Sequence, residues 1–241
     1  MKKQKKINNR NFLLVFLLFF STSLISLKTL KKIDIHDIKI SGSKLFTQDD
    51  LVKNSTLKLP TRLILIKANL IEKELKENLS LENILVRRQI FPFGLIVKIK
   101  TRNPIAYGEK ILNGRKISGF IDKDGIFINK QHVEEKHISG LTLKVYGWKA
   151  KFKKILSEIF IAQETYGFQL NKITFSPNGF LTIEEKGLKT ILLGFNQNLL
   201  SYQLEIINNL KSEFKKIKFS EKVDIIDLTD PNKPKIKVFK P

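Results

Sequence analysis

VRRQIFPFGLIVKIKTRNPIA, residues 86–106, reads as strand, turn, strand and stop. Ile84–Ile90 and Leu95–Lys100 are rich in Ile, Val and Leu, and between them Phe91-Pro92-Phe93-Gly94 supplies the Pro and Gly that reverse a chain. Asn103-Pro104 then ends the unit, because proline disfavours helix in the residue before it and has no N–H for a ladder.

Working outward toward the amino terminus, Ile33–Ile40 (IDIHDIKI) alternates Ile with polar residues at several positions, the period of a half-buried strand. Ser41-Gly42-Ser43 is a turn, and the Thr47 hydroxyl with Asp50 three residues later forms a capping-box pattern opening a short helix. Leu51 and Val52 are expected to face inward. After Pro60, a second helix runs through Ala68–Leu79, with Leu70, Ile71, Leu75 and Leu79 as its core face. The order over residues 33–102 is therefore β-α-α-β-β.

Beyond residue 103 the texture changes to short strands and hairpins. Asn113-Gly114 and Asp124-Gly125 tolerate the positive φ of tight turns, and Gly119–Ile128 (GFIDKDGIFI) is the clearest hairpin. Amphipathic helices are predicted at about Lys149–Tyr166, stopped by Gly167, and Leu199–Ile217. Strands are predicted at about 169–176, 179–185, 188–194, Val223–Leu228 and Ile236–Phe239. The fold class is α+β, with a mixed, β-rich C-terminal domain over 103–241.

Residues 1–11 carry five basic groups and no acid, and Phe12–Leu27 (FLLVFLLFFSTSLISL) carries no charge. Its Phe, Leu, Val and Ile contribute roughly −4 to −7 kcal/mol to insertion. With Lys28–Leu30 included it reaches roughly 28 Å at 1.5 Å per residue, near a hydrocarbon core of about 30 Å. A transmembrane helix over 12–30 is expected, with 1–11 a basic cytoplasmic tail and everything after Leu30 outside the plasma membrane. The competing reading is a cleaved signal peptide, with Ser21-Thr22-Ser23 as its small-x-small site. Apolar residues continuing past that site favour the retained anchor.

The whole chain has 241 residues, 44 Lys plus Arg against 23 Asp plus Glu, and no cysteine. Disulfides, thiolate metal sites and a thiol nucleophile are excluded. With 42% hydrophobic residues a wholly disordered chain is excluded as well. Lys dominates the basic residues and no nucleic-acid reading motif is present, so nucleic acid is not an expected partner.

This arrangement resembles the FtsQ/DivIB family of bacterial cell-division proteins, and four stretches carry the resemblance. Ile38–Leu45 (IKISGSKL) resembles the family's "I-x-V-x-G" opening, and Val86–Ala106 its "V-x-R-x-x-P-x-x-L-x-I-x-V-x-E-R-x-P-x-A" signature. Phe120–Phe127 (FIDKDGIF) resembles its "hydrophobic-D-x-x-G" hairpin, and Ile225–Asp230 (IIDLTD) its "V-D-L-R" strand. Thr101 stands where the family has Glu, and Thr229 where it has Arg. The resemblance implies a single-pass protein with a POTRA domain over 33–102, acting as a scaffold at the division septum. It implies FtsB/FtsL-type membrane proteins as partners, bound through a C-terminal sheet edge at about Thr229–Phe239. The candidate binding residues are Thr229, Lys235, Ile236, Lys237, Val238 and Phe239, with Ile33–Ile40 or Leu95–Lys100 as a second possible docking edge. The alternative is a POTRA module serving polypeptide transport or outer-membrane assembly.

No catalytic constellation emerges. The histidines of His132-Val133-Glu134-Glu135-Lys136-His137 are five apart, whereas a helical zinc motif needs them four apart to share a face. The segment is expected to be a solvated loop. Asp122 and Asp124 fall in a hairpin where Asp favours turns. No G-x-S-x-G, phosphate loop or dinucleotide fingerprint is present. The expectation is a non-enzymatic protein with no cofactor, no metal and no small-molecule substrate.

Overall fold

A computed structural model describes residues 9–30, 32–216 and 223–238. The chain divides into two compact units, one ending at Thr101 and the other beginning at Arg102. The basic tail up to Asn8 lies outside the described residues.

The first unit opens with helix α1 (Asn9–Leu30), followed by strands β1 (Lys32–Ile33) and β2 (Ile38–Ser41) and helix α2 (Gln48–Lys53). Strand β3 (Thr61–Arg62), helix α3 (Ala68–Asn78) and strands β4 (Asn83–Gln89) and β5 (Gly94–Lys100) complete it. The side chains described in α1 run from Leu13 to Ser23, and Leu13 to Phe20 are all exposed. Among the residues whose side chains are described, which in α1 are these eleven alone, no helix is long and apolar enough to cross a membrane.

The expected strand Ile33–Ile40 is broken. Asp34 Oδ1 accepts from the Ile35 N–H at 2.7 Å, and Asp37 Oδ2 accepts from the Asp34 N–H at 2.9 Å. This reciprocal cap winds Ile35–Asp37 into a 3₁₀ turn and splits the ladder in two. The Thr47–Asp50 capping box forms as expected, with Thr47 N–H donating to Asp50 Oδ2 at 2.8 Å. Strand order in the main sheet is β2-β5-β4, parallel on one side and antiparallel on the other. Leu95–Lys100 is thus the central strand, paired on both sides, and cannot serve as the docking edge considered for it. Ile71, Leu75 and Leu79 pack into a core with Ile38, Leu51, Val86 and Val97. Leu70, expected inside, remains 43% exposed.

Two glycines make this packing possible. Gly42 holds φ +93°, and a Cβ there would lie 2.1 Å from the Ile99 carbonyl oxygen; Gly94 holds φ +155° and would meet the Asp37 carbonyl at the same distance.

The second unit contains β6 (Pro104–Leu112), β7 (Arg115–Asp122), β8 (Phe127–Asn129), β9 (Lys144–Tyr146) and α4 (Lys153–Tyr166). It continues with β10 (Leu170–Phe175), β11 (Leu181–Glu185), β12 (Lys189–Gly194), α5 (Leu200–Lys216), β13 (Val223–Asp227) and β14 (Lys235–Val238). All its strands join one nine-stranded sheet in the order β14-β13-β12-β11-β10-β9-β6-β7-β8. Pro104 begins β6, the strand position that tolerates a missing donor, so the proline opens an element as well as closing the unit before it. β9, unforeseen in the sequence, pairs parallel with both β6 and β10 and welds two hairpin groups into one sheet. Ile155, Leu156, Ile159 and Phe160 of α4 and Leu200, Leu204 and Ile207 of α5 pack with the sheet's apolar residues in one core.

One buried ion pair ties α5 to this sheet. Glu185, 2% exposed, accepts from Gly187 and Leu188 N–H through Oε2 at 2.6 and 3.1 Å. Its Oε1 accepts from the Gln169 N–H and from Lys211 Nζ, at 3.2 and 2.7 Å. Replacing Glu185 by Leu strands those donors, so Glu185→Leu should cost about 3 kcal/mol in urea denaturation. A loss below about 0.5 kcal/mol would show that the pair is only an exposed-type contact.

Candidate functional site

The last two strands form the site the sequence singles out. β13 runs parallel to β12, with Ile226 opposite Ile191, and β14 runs antiparallel to β13. Their connection is built by its own side chains. The Leu228 N–H donates to the Leu192 carbonyl at 2.9 Å, and the buried Gln203 amide donates to the carbonyls of Leu193 and Leu228 at 2.8 and 2.7 Å. Asp227 Oδ1 accepts from the Thr229 N–H at 3.0 Å and from its hydroxyl at 2.7 Å, closing an Asx turn. Asp230 repeats the device, its Oδ1 accepting from the Asn232 N–H at 3.1 Å.

β14 ends the sheet. Among the described residues it has a strand neighbour on one side only, and Lys235, Ile236, Lys237 and Val238 are all exposed. The register sets Ile236 opposite Ile226 and Val238 opposite Val223, both partners fully buried. Directly opposed side chains share a face, so Ile236 and Val238 extend the core-facing apolar row to the margin, each 41% exposed. Lys237 pairs with Ile225 and faces the other way. An open row of N–H and C=O groups flanked by half-covered Ile and Val is what a partner strand needs to add to a sheet. Thr229 belongs to the turn and not to the strand; its side chain is spent on Asp227. Phe239 lies outside the described residues.

Asp227 was missed in the sequence, although D-x-T is the spacing of an Asx turn. The Thr229 hydroxyl, then the Thr229 N–H, holds its carboxyl below the ordinary range; partial burial opposes them, and the Lys235 charge adds a still smaller lowering effect.

The other suspected residues fall elsewhere. Asp122, 3% exposed, accepts from the Asp124 and Ile126 N–H groups through Oδ1 at 3.0 and 2.8 Å, while Oδ2 takes the Arg102 guanidinium at 2.5 Å. Arg102 also reaches Asp124 at 3.1 Å. Both carboxylates therefore hold the β7–β8 hairpin. His132 is not solvated as expected: it is 8% exposed and borders Val133, which packs with Phe120 and Ile128 in a satellite core. A 3₁₀ turn over Lys130–His132 carries it inward. Among the described residues no group of three His, Asp or Glu side chains can hold a metal. Lys110 is shifted below the usual ammonium range by partial burial, with Nζ 4.2 Å from the Phe127 ring centroid.

Residues 33–102 match the family model of the POTRA domain, FtsQ-type. The cell division protein DivIB of Clostridium acetobutylicum is 26% identical over 127 residues, covering 52% of this chain and 47% of that protein. The chain thus spans about half the length of the curated relative it matches. A β-α-α-β-β unit with a three-stranded sheet ahead of a larger β domain defines a POTRA-containing protein. Together with the family match and the relative, it supports a likeness of this chain to the FtsQ/DivIB cell-division proteins.

The depressed Asp227 pKa fixes a sign. Its contribution is complete above the unfolded carboxylate value of about 3.9 and is lost as pH falls through the folded value. Thr229→Val removes the larger cause, so a carbon-13 carboxyl titration should show the Asp227 midpoint rising toward the ordinary value. An unmoved midpoint would contradict this assignment.

Proposed function

We propose that this protein is a septal scaffold of the FtsQ/DivIB type, fixed in the plasma membrane and linking other divisome proteins through exposed sheet edges. The observation that carries the proposal is β14: a terminal strand, exposed at every residue, whose apolar side chains continue the core row without a cover. Association would add one strand in β-augmentation, with backbone hydrogen bonds giving affinity and the Ile236 and Val238 side chains giving register. The main binding residues are then Lys235 to Val238, with Phe239 next in sequence and Thr229 shaping the turn that aims the strand. FtsB/FtsL-type membrane proteins are the proposed partners. β2 and β4, the outer strands of the POTRA sheet, offer a second docking margin.

Anchoring is part of the same proposal. Helix Asn9–Leu30 is 22 residues long, roughly 33 Å at 1.5 Å per residue, and the uncharged run Phe12–Leu27 lies within it. Five basic residues in 1–11 orient the amino terminus toward the cytoplasm and leave everything after Leu30 outside. The chain is proposed to act without catalysis, since the buried carboxylates Asp122 and Glu185 have their oxygens taken up by backbone N–H groups and cations. A transport module whose later strands face lipid fits less well, because the apolar residues of the large sheet pack with α4 and α5.

Depletion followed by microscopy tests the role: filamentous or enlarged cells are expected, and normal septation would overturn it. At the level of the edge, Val238→Pro introduces a ring and removes a backbone donor. Recovery of division partners with the full chain should fall about tenfold, the equivalent of about 1.4 kcal/mol. Thermal unfolding should barely change, because Val238 lies at an exposed margin. Undiminished recovery would move the site away from β14.

A further inference from the structure

The first unit displays an apolar corner that its own core does not use. After β3, the chain forms a 3₁₀ turn over Leu63–Leu65, sending Leu63 inward at 2% exposure and leaving Ile64 and Leu65 outside at 56% and 66%. Leu65 and Leu70 line an open depression of about 310 Å³ with Lys58 and Lys67, and no carboxylate lines it. The Arg88 guanidinium donates to the Ile64 carbonyl at 3.2 Å and holds the turn in place. The adjoining carboxylate, Glu74, is engaged by the Thr56 N–H and hydroxyl at 2.8 and 3.0 Å. Lys58, Arg62 and Lys67 are exposed around the apolar side chains.

Chain connectivity says where this corner lies. β1 begins two residues after α1 ends, and its Lys32 pairs with Arg62 and its Ile33 with Thr61. The 3₁₀ turn follows Arg62 directly, and Cα atoms of α1 approach it within 8 Å. Exposed Ile and Leu ringed by Lys and Arg, beside the exit point of a membrane helix, match the chemistry of an anionic bilayer surface: acyl chains for the apolar tips and headgroup charge for the ammonium groups.

We propose that Ile64, Leu65 and Leu70, framed by Lys58, Arg62 and Lys67, rest on the anionic lipid surface from which α1 emerges. The contact fixes the orientation of the POTRA sheet and helices above the membrane, which a one-residue connection alone does not. This inference rests on the reading of α1 as the anchor, and the test separates the two.

Because the chain has no cysteine, single labels are free of background. Full-length Leu65→Cys, Leu18→Cys and Asn83→Cys proteins, each carrying an environment-sensitive fluorophore, are reconstituted into phosphatidylcholine vesicles with or without phosphatidylglycerol. Asn83 is exposed at the far end of β4, about 16 Å along the strand from Arg88, and serves as the aqueous reference. The expected result is blue-shifted emission at position 65, quenched by brominated phosphatidylglycerol, with position 83 aqueous throughout. Adding Lys58→Glu and Lys67→Glu should return position 65 to its aqueous emission. Aqueous emission at 65 with lipid emission at 18 would overturn the corner contact and leave the anchor standing. Aqueous emission at 18 would overturn both. An equal shift in neutral vesicles would overturn the assignment to anionic lipid, and a shift that needs an added division protein would assign the corner to that protein.

Discussion

The Gln203 side-chain amide is the constraint on which the C-terminal margin depends. Buried in α5, it donates to two carbonyls, Leu193 at the end of β12 and Leu228 at the end of β13, at 2.8 and 2.7 Å. One side chain thereby fixes a helix against two parallel strands at the place where the chain leaves the core. Both carbonyls belong to buried residues, where a backbone acceptor left without a donor is an expensive omission. With β13 held in this way, the Asx turns at Asp227 and Asp230 can reverse the chain, and β14 must lie outermost.

The two units solve the edge problem of β-sheets differently. In the POTRA unit the strand richest in Ile, Val and Leu, Leu95–Lys100, sits in the middle of its sheet, leaving β2 and the Arg-bearing β4 outside. Charged side chains on an outer strand discourage indiscriminate pairing. In the C-terminal unit, β14 alternates Lys with Ile and Val, so Lys235 and Lys237 temper an edge whose other face is apolar. A strand proposed to bind one partner while resisting self-assembly calls for such a compromise.

Much of this was legible in the sequence, for local reasons. The Thr47–Asp50 box, the Asn113-Gly114 and Asp124-Gly125 turns and the Gly167 stop depend on neighbours within a few residues, and each appears where its spacing puts it. The misses are of two kinds. The split of Ile33–Ile40 came from Asp34 and Asp37, whose side chains compete with the ladder; alternation of Ile masked that competition. Central placement of β5, the three-residue β9 and the burial of His132 depend on contacts distant in sequence, to which periodicity is blind. At the margin, Lys235–Val238 could be read as a strand, but that it is the last in its sheet could not. Leu70 was misplaced because helical spacing marks an apolar stripe without showing how much of it the core covers.

Hydrogen exchange of the β14 amides, free and in the complexes recovered from dividing cells, tests the central claim most directly. If another protein's strand completes this sheet, the outward-facing N–H groups of Lys235 to Val238 exchange fast in the isolated chain and slow markedly in the complex, with β12 unchanged. Equal exchange in both states, or protection confined to the POTRA strands, would contradict the account.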